Sequence, residues 1–137
     1  MIDTHCHLDV CEPDVADLVA RAREAGVRRL ATVGMDDASI GRALGAAHEH
    51  EDVYAIVGRH PNESAGFTDA DIEPIERAAA DERVRAIGET GLDYYRDYSP
   101  RDDQMRAFEA HVDLARRTGL PLVIHTRAAA WRSVDFG

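Results

Sequence analysis

Short apolar runs alternate along this chain with longer stretches whose apolar residues recur at helical spacing. Met1–Thr4 is predicted as the first strand. Pro13 suits a helix start, and Val15, Leu18, Val19 and Ala22 carry that helix to Gly26. Arg28–Val33 reads as a second strand closed by Gly34, Ala38–His50 as a second helix, and Val53–Val57 as a third strand. Thr68 with Asp71 is a capping signal for a third helix running to about Ala80. Val84–Ile87 is the fourth strand. Ser99 as N-cap and Pro100 at the first helical position open a fourth helix, which Gly119 ends. Leu120–Ile124, apolar throughout, is a fifth strand covered on both faces.

No hairpin signal such as Asn-Gly joins any two strands, so the alternation implies parallel strands linked by right-handed crossovers. No repeat, low-complexity tract or linker interrupts it, and residues 1–137 are expected to form one domain. The ends of the strands carry the distinctive polar residues. His5 and His7 come from the first, Asp36 and Asp37 from the second, Arg59 and His60 from the third, Glu89 from the fourth, and His125 with Arg127 from the fifth. Loops beyond the carboxyl ends of parallel strands build the active sites of α/β folds. A doubly wound sheet would usually show a Gly-rich phosphate loop after an early strand; none is present, which favours a barrel.

Composition narrows the function. The formal net charge is −10 over 137 residues, and all 16 basic residues are Arg. That balance argues against coating a nucleic-acid duplex, while leaving room for a local phosphate site made of a few Arg residues and metal ions. No apolar run reaches the length of a membrane span and no basic leader precedes the first motif, so no membrane association and a cytoplasmic location are expected. Two cysteines, Cys6 and Cys11, are too few for a disulfide framework and lack zinc-knuckle spacing. Both are expected to be reduced, with Cys6 serving packing.

In His5-Cys6-His7, strand alternation sends both imidazoles to one side and the thiol to the other. Borderline divalent ions take imidazole and carboxylate ligands from several rigid elements, and His5, His7, Glu89 and His125 supply such a set. Glu89 has two oxygens with which to bridge two ions, as two-metal hydrolases require. Taken singly, each has a plainer reading: a solvated loop carboxylate for Glu89, a hydrogen-bonded core residue for His125. Gly88 and Gly91 beside Glu89 suit close backbone packing around a site. Arg127, able to grip phosphate with two N–H groups, and His60, on the turn fixed by Pro61, are candidates for substrate contact. His48, His50 and His111 fall within helices and read as structural or solvated. Tyr94 and Tyr95 are suited either to stacking on a base or to packing.

Four motifs in order carry a family likeness. Met-Ile-Asp-Thr-His-Cys-His-Leu-Asp at 1–9, Val-Gly-Arg-His-Pro at 57–61, Ala-Ile-Gly-Glu-Thr-Gly-Leu-Asp-Tyr-Tyr-Arg at 86–96 and Leu-Pro-Leu-Val-Ile-His-Thr-Arg-Ala at 120–128 resemble the TatD-type metal-dependent deoxyribonucleases. Gln104 and Phe108 also fall where that family has a Gln and a Phe. The resemblance implies a parallel (β/α)8 TIM-type barrel of the metal-dependent hydrolase kind, with His5, His7, Glu89 and His125 as metal ligands. It further implies two divalent cations (Mg, Mn or Zn), catalysis centred on the bridging Glu89, and DNA, single-stranded or at strand ends, as substrate. A complete barrel takes roughly 250 residues, so here it would be incomplete, with about five strands and four helices. A His and an Asp that the family supplies from later strands have no counterpart, and residues 131–137 diverge from its pattern. Impaired activity follows as an expectation, with a second polypeptide as one source of the missing barrel half. Two alternatives stand beside the nuclease: a catalytically dead half-barrel that binds metal or a partner, and a metal-dependent amide or ester hydrolase. The last often uses a carboxylated Lys on the fourth strand, and this chain has no Lys.

Overall fold

The structure, a computed structural model, describes residues 1–129; the expected divergent tail, 131–137, lies outside the described residues. Five strands form one sheet: β1 (Ile2–Cys6), β2 (Arg29–Gly34), β3 (Val53–Val57), β4 (Val84–Asp93) and β5 (Leu122–Arg127). Their order in the sheet is their order in the chain, and every neighbouring pair is parallel. The crossovers carry α1 (Val15–Glu24), α2 (Asp37–Glu49), α3 (Ile72–Ala79) and α4 (Arg101–Thr118). Among the described residues the strand order never reverses, so they contain no switch point of the doubly wound kind. This is an arc of a (β/α) barrel, with β1 and β5 as its two edges.

Local signals explain most of the boundaries. Asp14 caps α1 by accepting from the Asp17 amide at 3.0 Å, which places Pro13 just before the helix instead of inside it. Asp36 and Ser39 form a reciprocal capping box on α2. The box of Thr68 and Asp71 caps a 3₁₀ turn, Asp69–Asp71, that runs directly into α3. Gly119 closes α4 in the left-handed conformation, with φ of 71°. Ser99 does not cap α4: its hydroxyl accepts from the Ser64 amide at 3.1 Å, and α4 begins after Pro100 without a side-chain cap.

The two faces of the sheet differ. On one, Leu30, Val53, Val57, Val84 and Ile87 pack against Val19 of α1, Ile40 and Ala43 of α2, Ile75 of α3 and Leu114 of α4 in a continuous apolar cluster. On the other, Val33, Ile56 and Ala86 are buried in a small cluster with Ala31, Met35 and Val123 at its margin. Period-two alternation carries this inner face from Val123 on to His125 and Arg127.

Candidate active site

The end of β1 brings its two histidines together through an irregularity. Pairing with β2 shifts register between Asp3 and Cys6. His5 lies in the strand and His7 just beyond it, with their Nε2 atoms 3.2 Å apart. Cys6 turns the other way, donating to the Ala31 carbonyl at 3.4 Å and packing beside the helix-side cluster. Burial, with Asp3 adding to it, pushes its thiol up to about 12, so it stays protonated and offers no thiolate.

Glu89 faces these histidines from β4, which continues to Asp93, well past the expected end at Ile87. The extension depends on glycine. Gly88 and Gly91 have φ of 138° and 139°. A Cβ on Gly88 would come within 2.5 Å of the Val123 carbonyl oxygen, and one on Gly91 would collide with that of His125. β5 can therefore lie alongside, with Gly91 paired to His125 and Asp93 to Arg127. Glu89, 9% exposed, then sits between two imidazoles. Its Oε2 is 3.3 Å from His5 Nε2 and its Oε1 is 3.0 Å from His125 Nδ1.

Asp93 belongs to the same constellation and was not among the residues singled out from the sequence. It is 1% exposed. Its Oδ1 accepts from the amides of Tyr95 and Arg96 at 3.1 and 2.9 Å. Its Oδ2 lies 3.2 Å from His125 Nε2 and accepts from Asn62 Nδ2 at 3.4 Å. Burial works to raise this carboxyl, but the Arg96 amide, the His125 ring and the Tyr95 amide outweigh it and hold the group below its ordinary value. Gln104, buried on α4, grips both sides of the same residue: its Oε1 accepts from the Asp93 amide at 2.8 Å, and its Nε2 donates to the carbonyls of Asp93 and Ser99.

His60, after β3, has its ring centroid 4.5 Å from that of His125. Its Nδ1 accepts from the Asn62 amide at 3.1 Å, so the neutral ring carries its proton on Nε2. Burial, outweighing Glu89, lowers its pKa to about 4. His111, assigned a structural role from the sequence, is fully buried on α4 and anchors this loop. Its Nδ1 donates to the Ala107 carbonyl at 2.6 Å, and its Nε2 accepts from the Arg59 amide at 2.9 Å. Arg127 lies at the rim, its guanidinium 4.1 Å from the centroid of the exposed Tyr95 ring, while Tyr94 is covered by Arg101 in the same manner. Asp36 and Asp37 stay out of the cluster; the first caps α2 and the second pairs with Arg59 at 2.8 Å.

Among the described residues, two groups of donor atoms have their atoms within 4.8 Å of one another: His5, His7 and Glu89, and His60, Glu89 and His125. Glu89 is common to both. Imidazole nitrogen with carboxylate oxygen is a donor set that suits zinc and its neighbours. Among the described residues, the buried Nδ1 of His7 has no hydrogen-bond partner.

The family model described as "TatD related DNase" matches residues 2–136. The chain belongs to the TatD-related DNase family. It is 44% identical over 140 residues to a metal-dependent hydrolase named TatD from Mycobacterium tuberculosis, covering 94% of this chain and 52% of that protein. It is 33% identical over 126 residues to a Pectobacterium carotovorum protein named 3'-5' ssDNA/RNA exonuclease TatD, covering 91% and 48% respectively. Among solved structures, the TatD homologue YjjV of Escherichia coli superimposes with a TM-score of 0.82 at 32% identity, over 93% of this chain and 51% of that one. The chain thus spans about half the length of the TatD relatives it matches, and its fold is the corresponding arc of their barrel. The Mycobacterium tuberculosis relative is named a metal-dependent hydrolase. No helix among the described residues is long and apolar enough to cross a membrane.

Proposed function

We propose that this end of the sheet is a two-metal phosphodiesterase site acting on single-stranded DNA or DNA strand ends, with His5, His7, Glu89 and His125 as ligands and Glu89 as the bridge. One observation carries the reading: the two oxygens of Glu89 face different imidazoles, His5 at 3.3 Å and His125 at 3.0 Å. Such a carboxylate belongs to two donor groups at once. The imidazole-rich set favours Zn²⁺ or Mn²⁺ over Mg²⁺, which prefers oxygen ligands. Bound there, such ions would supply Lewis acidity and activate water at neutral pH.

The remaining residues serve the substrate. His60, neutral and with its proton on Nε2, is set to donate to a phosphate oxygen or to a leaving oxygen. Arg127, stiffened by stacking on Tyr95, offers two N–H groups to a phosphate, and the exposed face of Tyr95 suits a base. The likeness to the Pectobacterium protein named 3'-5' ssDNA/RNA exonuclease supports single-stranded nucleic acid as the substrate class. Free thiols at Cys6 and Cys11 accord with the cytoplasm as its location.

Closure of an eight-stranded barrel needs strands on both edges of this arc, and β1 and β5 each have one neighbour among the described residues. We expect the 137-residue chain by itself to turn over slowly, and a complementary barrel half, including one on a second polypeptide, to raise the rate. The test is hydrolysis of single-stranded DNA by purified, monodisperse chain with Mg²⁺, Mn²⁺ or Zn²⁺, beside an intact relative. The proposal expects metal-dependent cleavage, at least about tenfold slower than the relative's and abolished by His5→Ala. Cleavage indifferent to chelator, or untouched by His5→Ala, contradicts the site. Turnover within about tenfold of the relative contradicts the impairment and removes the binding-only half-barrel as a second reading.

A further inference from the structure

We infer that Asp93 is a positioning residue whose carboxylate selects the His125 tautomer, fixing the proton on Nε2 so that the Nδ1 lone pair faces the metal position beside Glu89. The inference rests on the metal-site reading above, but it concerns a hydrogen bond internal to the protein.

His125 stands between two carboxylates, Glu89 Oε1 at 3.0 Å from Nδ1 and Asp93 Oδ2 at 3.2 Å from Nε2. A neutral imidazole carries a single N–H, so only one of them receives it. The surroundings decide which. Glu89 has another imidazole within reach, His5 at 3.3 Å from its second oxygen. Asp93 is the more deeply buried of the two, at 1% against 9% exposed, and among the described residues its Oδ2 has only the long contact from Asn62 besides. Without the His125 N–H, a buried carboxylate oxygen would go nearly unpaired, and that costs more than leaving Glu89 to its other neighbours. The proton therefore sits toward Asp93.

The rest of the Asp93 shell makes this choice rigid. Oδ1 is held by the amides of Tyr95 and Arg96, and the backbone by both ends of the Gln104 amide. Neither the carboxylate plane nor the strand can turn away from His125. Such outer partners set the orientation and basicity of metal-ligating histidines in general.

Asp93→Asn, isosteric and neutral, gives the sharpest test. The two amides on Oδ1 require an acceptor, so the carboxamide oxygen must take that position and its NH₂ must face His125. His125 Nε2 then becomes the acceptor, and its proton moves to Nδ1, blocking the lone pair aimed at the metal position. Asn62, whose Oδ1 has no partner among the described residues, can turn over to meet the new NH₂.

The experiment pairs ¹⁵N-resolved histidine NMR on metal-free protein at about pH 9, above the ordinary histidine range, with calorimetric titration of Zn²⁺. Wild type is expected to show the Nε2–H tautomer at His125. Asp93→Asn is expected to show Nδ1–H, with Zn²⁺ bound roughly ten- to a hundredfold more weakly and the thermal melt nearly unchanged. A wild-type Nδ1–H tautomer overturns the inference, and so does a variant that keeps both tautomer and affinity. Should the variant not fold, the wild-type spectrum alone decides. Wild type that binds no Zn²⁺ overturns the metal-site reading instead, while the tautomer still answers for Asp93.

Discussion

The two faces of this sheet divide stability from chemistry. The helix-bearing face joins β2, β3 and β4 to all four helices through one apolar cluster containing Val19, Ile75, Ile87 and Leu114, all fully buried. The inner face carries a small apolar cluster of Val33, Ile56 and Ala86, and then gives way to His5, Glu89, Asp93, His125 and Arg127. Carboxylates and imidazoles crowded at one strand end contribute little to holding the chain together, since their desolvation offsets their mutual attraction. What the contrast teaches is that the site sits on the face that contributes least to the apolar core. Its geometry is inherited from strand register and two glycines.

The largest effect that would break this division is on stability. Leu114→Ala, which hollows the helix-bearing face, should cost about 2–5 kcal/mol by urea denaturation, against under about 1 kcal/mol for His5→Ala on the inner face. A larger loss from His5→Ala would mean that the cluster holds the fold.

His111 sharpens the comparison, since it is a histidine on the stable face that reaches toward the functional loop. Burial, with Arg59 adding to it, lowers its pKa from 6.5 to about 4, while its Ala107 hydrogen bond opposes the shift. The unfolded chain therefore binds this proton first as pH falls. Stability fully present above about 6.5 should drain away between 6.5 and 4, by about 3 kcal/mol at most. The lowered carboxyls, Asp36 and Asp71 among them, act in the same direction but below the ordinary carboxylate range. His60 shares the His111 window. Denaturant midpoints of wild type and His111→Gln across this range separate the two: the variant should lose part of the slope, and an identical slope would remove His111 from the account.

Smaller still is the substrate effect. Arg127→Ala should weaken binding of a short single-stranded DNA by about 2 kcal/mol, roughly thirtyfold, as measured by fluorescence anisotropy. Bound Zn²⁺ should be unchanged. Loss of the metal in that variant would make Arg127 part of the metal site.

The order of elements, the parallel sheet and the inner position of His5, His7, Glu89 and His125 were legible because hydrophobic periodicity and strand-end polarity are local signals. The length of β4 was not. Gly88 and Gly91 look like breakers along the chain, and only the carbonyls of Val123 and His125, supplied from β5, show why glycine is needed in a strand there. Ending the strand at Ile87 also hid Asp93: continued at period two from Glu89 through Gly91, it falls on the inner face. Asn62 was beyond reach because its contact with Asp93 joins two loops that nothing in the sequence pairs. Ser99 misled as a cap because its hydroxyl has a better use, holding the Ser64 amide of another turn.

Glu89 is proposed to join the imidazoles into one two-metal centre. Calorimetric titration of Zn²⁺ into metal-free wild type and Glu89→Gln tests it most directly, since Gln keeps the shape and removes the charge. The account predicts saturable binding by wild type and a loss in the variant beyond the roughly hundredfold that outer partners of a metal site cause. Equal affinity in the two proteins would contradict it.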